Sequence, residues 1–346
     1  MSNSPYEKYL ENIRYQLQNG QRRGALSKGQ YNNFDGGGGA NISGISSAVK
    51  LFDLKKDEAL FESLDRLTAI AGKKGKYHER PGAHPDFIHI KENNTVEYHN
   101  ITSMFIDIKN STGLFRKYEP LTVANITMTI LRAAIHTCWY FDGYIQRFNG
   151  DGLMIYFGNK NTTISASVNN AINAASFFTY FVKNDLKNLF YEQGVENIYT
   201  RIGIDTGDDE AVLWHLAGVG DCSEITTCSL HTSLASKLQG NAVSNGIMVG
   251  DNVKSNSTFS SDLYTIKWNE KEKKEDRYIF QIPEENFNYT QWQFHWEKHL
   301  KNHPLVRMDD NGNLYFAPAV GAPSIIPTKN VDFLKDQVKG YRPYMK

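Results

Sequence analysis

The chain has 346 residues, and its 38 lysines and arginines balance 38 aspartates and glutamates. That balance argues against a nucleic-acid or anionic-membrane partner, both of which select a basic surface. Apolar residues make up 40% of the chain, the share of a protein with a real core in one large or two small domains, and no apolar stretch is long enough to span a bilayer.

Residues 1–8 are polar and carry no secretory apolar run. The three cysteines, Cys138, Cys222 and Cys228, have no C-x-x-C spacing. Reduced thiols in a soluble, cytoplasmic protein are the expectation. A short helix is predicted over residues 6–18, followed by a loop that includes the glycine run 36–39. Residues 57–71 have apolar positions at helical spacing, and 72–95 are rich in turns. Residues 96–108 read as a strand and 120–141 as a long helix with Pro120 near its first turn. Two strands, 144–148 and 153–157, join through Asn-Gly-Asp-Gly, a strong hairpin signal. A second long helix is expected at 164–190, a strand at 199–206, a shorter helix at 229–239 and a strand at 246–249. Strands at 264–268 and 277–282 are expected to pair across the charged loop Asn-Glu-Lys-Glu-Lys-Lys-Glu-Asp. Residues 289–300, dense in aromatics, are expected to form a helix outside the core. No internal repeat is visible.

The order strand–helix–strand–strand–helix–strand predicts an α+β fold with a ferredoxin-like, split βαβ core. Residues 96–283 would form that core, between an N-terminal extension (1–95) and a C-terminal helix and tail (284–346).

Within the core, Asp107 closes the apolar strand Ser-Met-Phe-Ile-Asp-Ile-Lys-Asn-Ser-Thr-Gly, and Asp151 sits in the turn of Arg-Phe-Asn-Gly-Asp-Gly-Leu-Met-Ile-Tyr-Phe. A carboxylate carried on a buried apolar stretch is costly unless it is paired or binds a metal. Two such positions, followed by Arg-Ile-Gly-Ile-Asp-Thr-Gly at 201–207, suggest a metal–triphosphate centre. Either aspartate alone would pass for a cap or turn residue.

Four motifs in order resemble the class III nucleotide cyclases: Asp107-Ile108-Lys109-Asn110-Ser111-Thr112 after the strand, Gly150-Asp151 at the hairpin, the Arg201 segment, and Ala235-Ser236-Lys237-Leu238 at the end of a helix. The resemblance covers roughly residues 96–283. It implies that a 3′-hydroxyl attacks the α-phosphorus of its own nucleotide and that pyrophosphate leaves. Two Mn²⁺ or Mg²⁺ ions per site, held by Asp107, Asp151 and the carbonyl of Ile108, would acidify the hydroxyl and neutralise the leaving group. Backbone N–H groups of Lys109, Asn110, Ser111, Thr112 and Gly113 could hold the phosphates ahead of a helix. Arg201 matches a phosphate clamp. Ser233 and Lys237 stand where many relatives of this class have a transition-state Asn and Arg. Serine can still bond a ribose oxygen, and lysine keeps the charge without the fork.

By the same resemblance, the base-reading positions fall at Arg147 and Thr226. Adenylate cyclases usually have Lys and Asp there, and guanylate cyclases Glu and often Cys. Arginine offers only donors, which suits the adjacent acceptors of cytosine, and Thr226 can accept from its amine. Cytosine is therefore favoured over uracil. The alternative is that Arg147 turns to solvent or pairs with a surface carboxylate. These departures look like the bacterial pyrimidine cyclases of anti-phage (Pycsar) systems, whose cyclic CMP or cyclic UMP acts on a separate effector protein. Class III sites form between two protomers, so a homodimer is implied. An adenylate cyclase with a drifted pocket and a degenerate nucleotide-binding sensor domain are the rivals. Trp214 and His215 read as loop residues, and His231 as lining the helix of Ser233.

Overall fold

The computed structural model describes residues 6–20, 80–310 and 314–316. The glycine run, the helix expected at 57–71 and the tail after 316 lie outside them. Helix α1 (Glu7–Asn19) buries Tyr9, Ile13 and Leu17, with Tyr6 at its N-cap, three and four residues apart, as one apolar face. That face lies on α3 (Pro120–Tyr140), where the Tyr6 hydroxyl bonds Thr137 at 2.9 Å and the Tyr118 hydroxyl donates to the carbonyl of Leu17. Between them in sequence lie the short α2 (His89–Asn93), β1 (Glu97–Tyr98) and β2 (Ile101–Lys109).

After α3 come β3 (Gly143–Asn149), β4 (Gly152–Phe157), α4 (Ile164–Tyr180) and β5 (Tyr199–Gly207). Thr163 caps α4 through the N–H of Ala166. The single helix expected at 164–190 is α4 continued through a π-helical turn (Phe181–Leu186) into α5 (Lys187–Glu192). The four strands lie side by side as β5-β2-β4-β3, all antiparallel, which is the split βαβ order. The fold is α+β, as the motif order predicts. Strand β2 is central and buried along most of its length. Beyond β5 the sheet adds β8 (Gly246–Gly250) in parallel, then β13 (Phe287–Phe294) and β12 (Tyr278–Ile282).

Three elements differ from expectation. The aromatic segment 289–300 is not a helix. Its first half is β13, inside the main sheet, and only Trp296–Lys301 is helical (α7). Thr, Trp, Tyr and Phe also suit a pleated surface, and pairing with β12, β8 and β9 (Tyr264–Ile266) settles the matter. Segments 264–268 and 277–282 do not pair as one hairpin, because β13 pairs with both β9 and β12. Only β10 (Trp268–Asn269) and β11 (Lys274–Glu275) join directly across the charged turn. Finally, Trp214 and His215 lie on a strand. A hairpin of β6 (Leu213–Val219) and β7 (Cys222–Cys228) turns at Gly220-Asp221 and pairs with β1.

Two faces of the sheet are covered differently. The main core, with Met104, Ile106, Ile155, Phe177 and Ile204, lies under α1, α3 and α4. A second cluster joins Tyr144, Met154 and Tyr156 to Phe87, Trp214 and Ile225. Trp214 stacks on Phe87 with ring centroids 3.8 Å apart and donates to the carbonyl of His99. Helix α6 (Leu230–Asn241) lies along β5, β2 and β8. No helix among the described residues is long and apolar enough to cross a membrane.

Candidate active site

Asp107 stands at the end of β2, opposite Arg201 on β5. The hairpin turn of Asp151 closes over the same strand end. A Cβ at Gly152 would lie 2.5 Å from the carbonyl oxygen of Ile106 and 3.6 Å from the Cα of Asp107. Only a glycine lets the two backbones approach so closely. The Asn149–Gly152 turn therefore sets Asp151 beside Asp107.

Both carboxylates are partly exposed and have partners. Asp107 Oδ2 accepts from Arg201 Nε at 3.0 Å and Nη2 at 2.5 Å. Asp151 Oδ2 accepts from the hydroxyl of Ser111. No group of three or more His, Cys, Asp or Glu residues among the described residues could hold a metal ion. The donors at this strand end are two carboxylates and main-chain oxygens, a hard-oxygen set suited to Mg²⁺ or Mn²⁺.

The segment after β2 is a short 3₁₀ helix, Ser111–Arg116, entered through Asn110 in the left-handed region (φ 71°). The Asn110 amide donates to the carbonyl of Asn197. Lys109 and Thr112 are exposed and Ser111 is buried. The N–H of Gly113 is engaged by the carbonyl of Asn110 at 3.0 Å.

Within the hairpin, near its turn, the register of β3 against β4 slips. Ile145 faces Ile155 and Arg147 faces Met154, so Gln146 is the extra, bulged residue. A bulge re-aims the side chains that follow it. Here it moves Arg147 off the helix-covered face of Ile145 to the side of Met154 and Tyr156. The Gln146 amide donates to the carbonyl of Ile225 on β7 at 2.9 Å. Arg147 forks onto Glu224, with Nε at 3.1 Å from Oε2 and Nη2 against Oε1. Pairing with a carboxylate was one of the alternatives open for Arg147. Thr226 is buried, with its hydroxyl 3.3 Å from that of Tyr156. Burial pushes the Tyr156 phenol up, against hydrogen bonds from Thr226 and Thr227.

Ser229 caps α6 by accepting from the N–H of His231. Ser233 and Lys237 lie one turn apart on its exposed side. The Ser233 hydroxyl donates back to the carbonyl of Ser229, and Lys237 Nζ lies 5.7 Å from the centre of the Phe280 ring. Ser233 borders an open groove of about 630 Å³ with Tyr98, Leu213, His215, Thr227 and Leu230. Among the described residues, no hydrogen bond or ion pair links Ser233 or Lys237 to Asp107 or Asp151. The chain thus brings Asp107, Asp151, Arg201 and Ser111 together at one strand end. Elsewhere, Arg147 on β3 meets Glu224 on β7, the strand that also carries Thr226.

Two features escaped the sequence reading. Glu224 is the partner of Arg147, and it had a weak signal in standing two residues from Thr226 on the same strand. Asp205 is fully buried, accepts from the Tyr289 hydroxyl at 2.7 Å and meets His231 Nδ1 at 3.0 Å. Burial raises its pKa, while His231 and Tyr289 oppose the rise. This cluster ties the start of α6 to β5 and β13.

Residues 94–275, more than half of the chain, match the adenylate and guanylate cyclase catalytic domain family. The chain belongs to this class III nucleotide cyclase family. It is 39% identical over 246 residues to a cytidylate cyclase of Staphylococcus aureus, across 70% of this chain and 57% of that protein. A cytidylate cyclase of Escherichia coli is 33% identical over 249 residues, across 69% of this chain and 53% of that one. The chain thus spans little more than half the length of these relatives. Among solved structures, the adenylyl cyclase CyaB from P. aeruginosa has a TM-score of 0.45 at 20% identity, over 58% of this chain and 95% of that one.

Proposed function

We propose that this protein is a cytidylate cyclase, converting CTP into 3′,5′-cyclic CMP and pyrophosphate. The observation that carries the proposal is the adjacency of Asp107 and Asp151 at one strand end of a class III domain. The names of its relatives in S. aureus and E. coli support cytidine as the base.

In this reading Asp107, Asp151 and the carbonyl of Ile108 hold two Mg²⁺ or Mn²⁺ ions. Such ions, when bound, lower the pKa of the attacking 3′-hydroxyl and offset charge on the leaving pyrophosphate. Arg201 holds the Asp107 carboxylate in a fixed orientation through two N–H groups on one oxygen, and Oδ1 stays available as a ligand. Ser111 orients Asp151 in the same way through Oδ2. The exposed Lys109 side chain, with the N–H groups of residues 109–112, faces the triphosphate. Ser233 and Lys237 act from a second protomer, on the ribose and on the charge developing at phosphorus. The lack of any hydrogen bond or ion pair from them to the aspartates, among the described residues, fits a homodimer with two equivalent sites. The product acts on a separate cyclic-nucleotide effector in anti-phage defence.

The test is parallel incubation of the purified protein with ATP, GTP, CTP and UTP, each with Mn²⁺, read by mass-resolved chromatography. Cyclic CMP as the main product is expected. Cyclic UMP in its place would overturn the base assignment. No cyclic product from folded, dimeric protein would overturn the activity.

A further inference from the structure

We propose that Glu224 is the second base-reading residue of this site, acting with Arg147 as one unit that matches cytosine. The inference rests on the cyclase reading above and assigns the specificity of the same site.

Arginine has five N–H donors in a planar fork and no acceptor. The bond to Glu224 uses the Nε side of the fork, through Nε and one proton of Nη2. The opposite edge keeps two parallel N–H groups, one on each Nη. The carboxylate of Glu224 lies at the end of that plane and is acceptor-only when ionised. The pair therefore presents one acceptor beside two donors. Cytosine presents the complement along its Watson–Crick edge: the exocyclic amine donates, and ring N3 and O2 accept. Uracil reverses two of the three, because O4 would meet the carboxylate and N3–H would meet the guanidinium. Guanine makes the same two mismatches and adds a third, because its N2 amine would meet the second N–H of the guanidinium. Adenine keeps the amine and N1 but has a C–H where the third acceptor should be.

Thr226 is less suited to this role. It is 9% exposed and its hydroxyl meets Tyr156. The Glu224 side chain is 24% exposed and that of Arg147 48%, so both can meet a ligand. The backbone beneath them is held on two sides. The Gln146 amide donates to the carbonyl of Ile225 at 2.9 Å, and the Ile225 N–H donates to the carbonyl of Gly82 at 2.8 Å. The bulge at Gln146 sets the direction of Arg147. A base-reading pair needs this kind of support, because a loosely held donor set discriminates poorly.

The experiment compares full-length wild type, Glu224→Gln and Glu224→Asp with CTP and UTP. It measures kcat/KM for each cyclic product and, in parallel, the affinity for each nucleotide by competition binding. Glutamine fills the same space but can turn its N–H₂ toward O4 of uracil. The CTP-to-UTP ratio should therefore fall about tenfold or more in Glu224→Gln, chiefly by loss on CTP and gain on UTP. Glu224→Asp, which restores the charge, should recover part of the ratio. A carboxylate that only anchored Arg147 would lower both nucleotides alike, so an unchanged ratio in a folded Glu224→Gln protein overturns the proposal. If the wild type makes no cyclic product, the cyclase reading fails. The binding ratio still decides Glu224, and equal affinity of wild type for CTP and UTP would overturn its role.

Discussion

The Arg-Ile-Gly-Ile segment makes a sharp structural demand at its glycine. A Cβ at Gly203 would lie 2.1 Å from the backbone nitrogen of Gln239 and 2.2 Å from the carbonyl oxygen of Ala235, where ordinary contact begins at 3.4 Å. Both atoms belong to the main chain of α6, so no side-chain rotation relieves the clash. In Gly203→Ala the helix must retreat from β5 by about 1 Å. Overpacking of this kind costs about 1–3 kcal/mol. The same movement displaces Ser233 and Lys237, and if they act as proposed a 1 Å misplacement can cost about 100-fold in rate. Urea unfolding and the rate of cyclic CMP formation, measured well below the unfolding transition, read the two effects separately. Gly240→Ala is the control on the same helix. It has open space around the new methyl and should hold or gain stability, by about 0.5–1 kcal/mol. A Gly203→Ala protein with wild-type stability and turnover would refute the close-approach argument.

Asp151→Ala should lower cyclic product by at least about 100-fold while leaving the unfolding transition nearly in place, since Asp151 is partly exposed and is held by Ser111. A variant that keeps its activity would remove Asp151 from the metal site. Acid should destabilise the fold between about pH 6.5 and pH 4. Burial lowers the pKa of His136, His299 and His303 to about 4, from 6.5 in the unfolded chain. Over that window the unfolded chain binds protons that the folded one refuses, so stability falls as pH falls and levels off above 7. Buried His136 and His299 are each worth up to about 3 kcal/mol on this account. Asp205 acts oppositely, because its raised pKa removes stability as pH rises above its unfolded value, but it is one group against three. Chemical denaturation at pH 7.5, 6 and 5 measures the slope. A flat or rising profile toward pH 5 would contradict the burial of these histidines.

The parts that were legible in the sequence are those written in local pattern. The β3–β4 hairpin announces itself by Asn-Gly-Asp-Gly between apolar runs, and α3 by its length and by Pro120. Asp107 and Asp151 could be placed at neighbouring strand ends because both motifs end a strand and the split βαβ order makes those strands adjacent. What failed was decided by partners far away in the chain. The segment Thr290-Gln291-Trp292-Gln293-Phe294 satisfies a helical period as well as a strand period, and its fate depends on β8, β9 and β12, which pair with it. The β6–β7 hairpin was hidden for a similar reason, since its apolar face exists to cover Tyr144, Met154 and Tyr156 through Trp214 and Ile225.

The base end of the site shows the same limit at the scale of one side chain. Counting back from Asp151 locates Arg147, but the count assumes an unbroken strand. The bulge at Gln146 changes the face on which residue 147 emerges, and nothing in Tyr-Ile-Gln-Arg-Phe marks it. Once the bulge is present, the Gln146 amide on Ile225 sets which residue of β7 lies opposite, and that residue is Glu224 rather than Thr226. A donor set by itself left uracil open, through O2 or O4. A carboxylate fixed beside the guanidinium closes that option, because O4 would then face two unshared electron pairs with no proton between them. On the proposed reading, the discrimination between pyrimidines lies in a pairing between β3 and β7 that no single segment of the chain encodes.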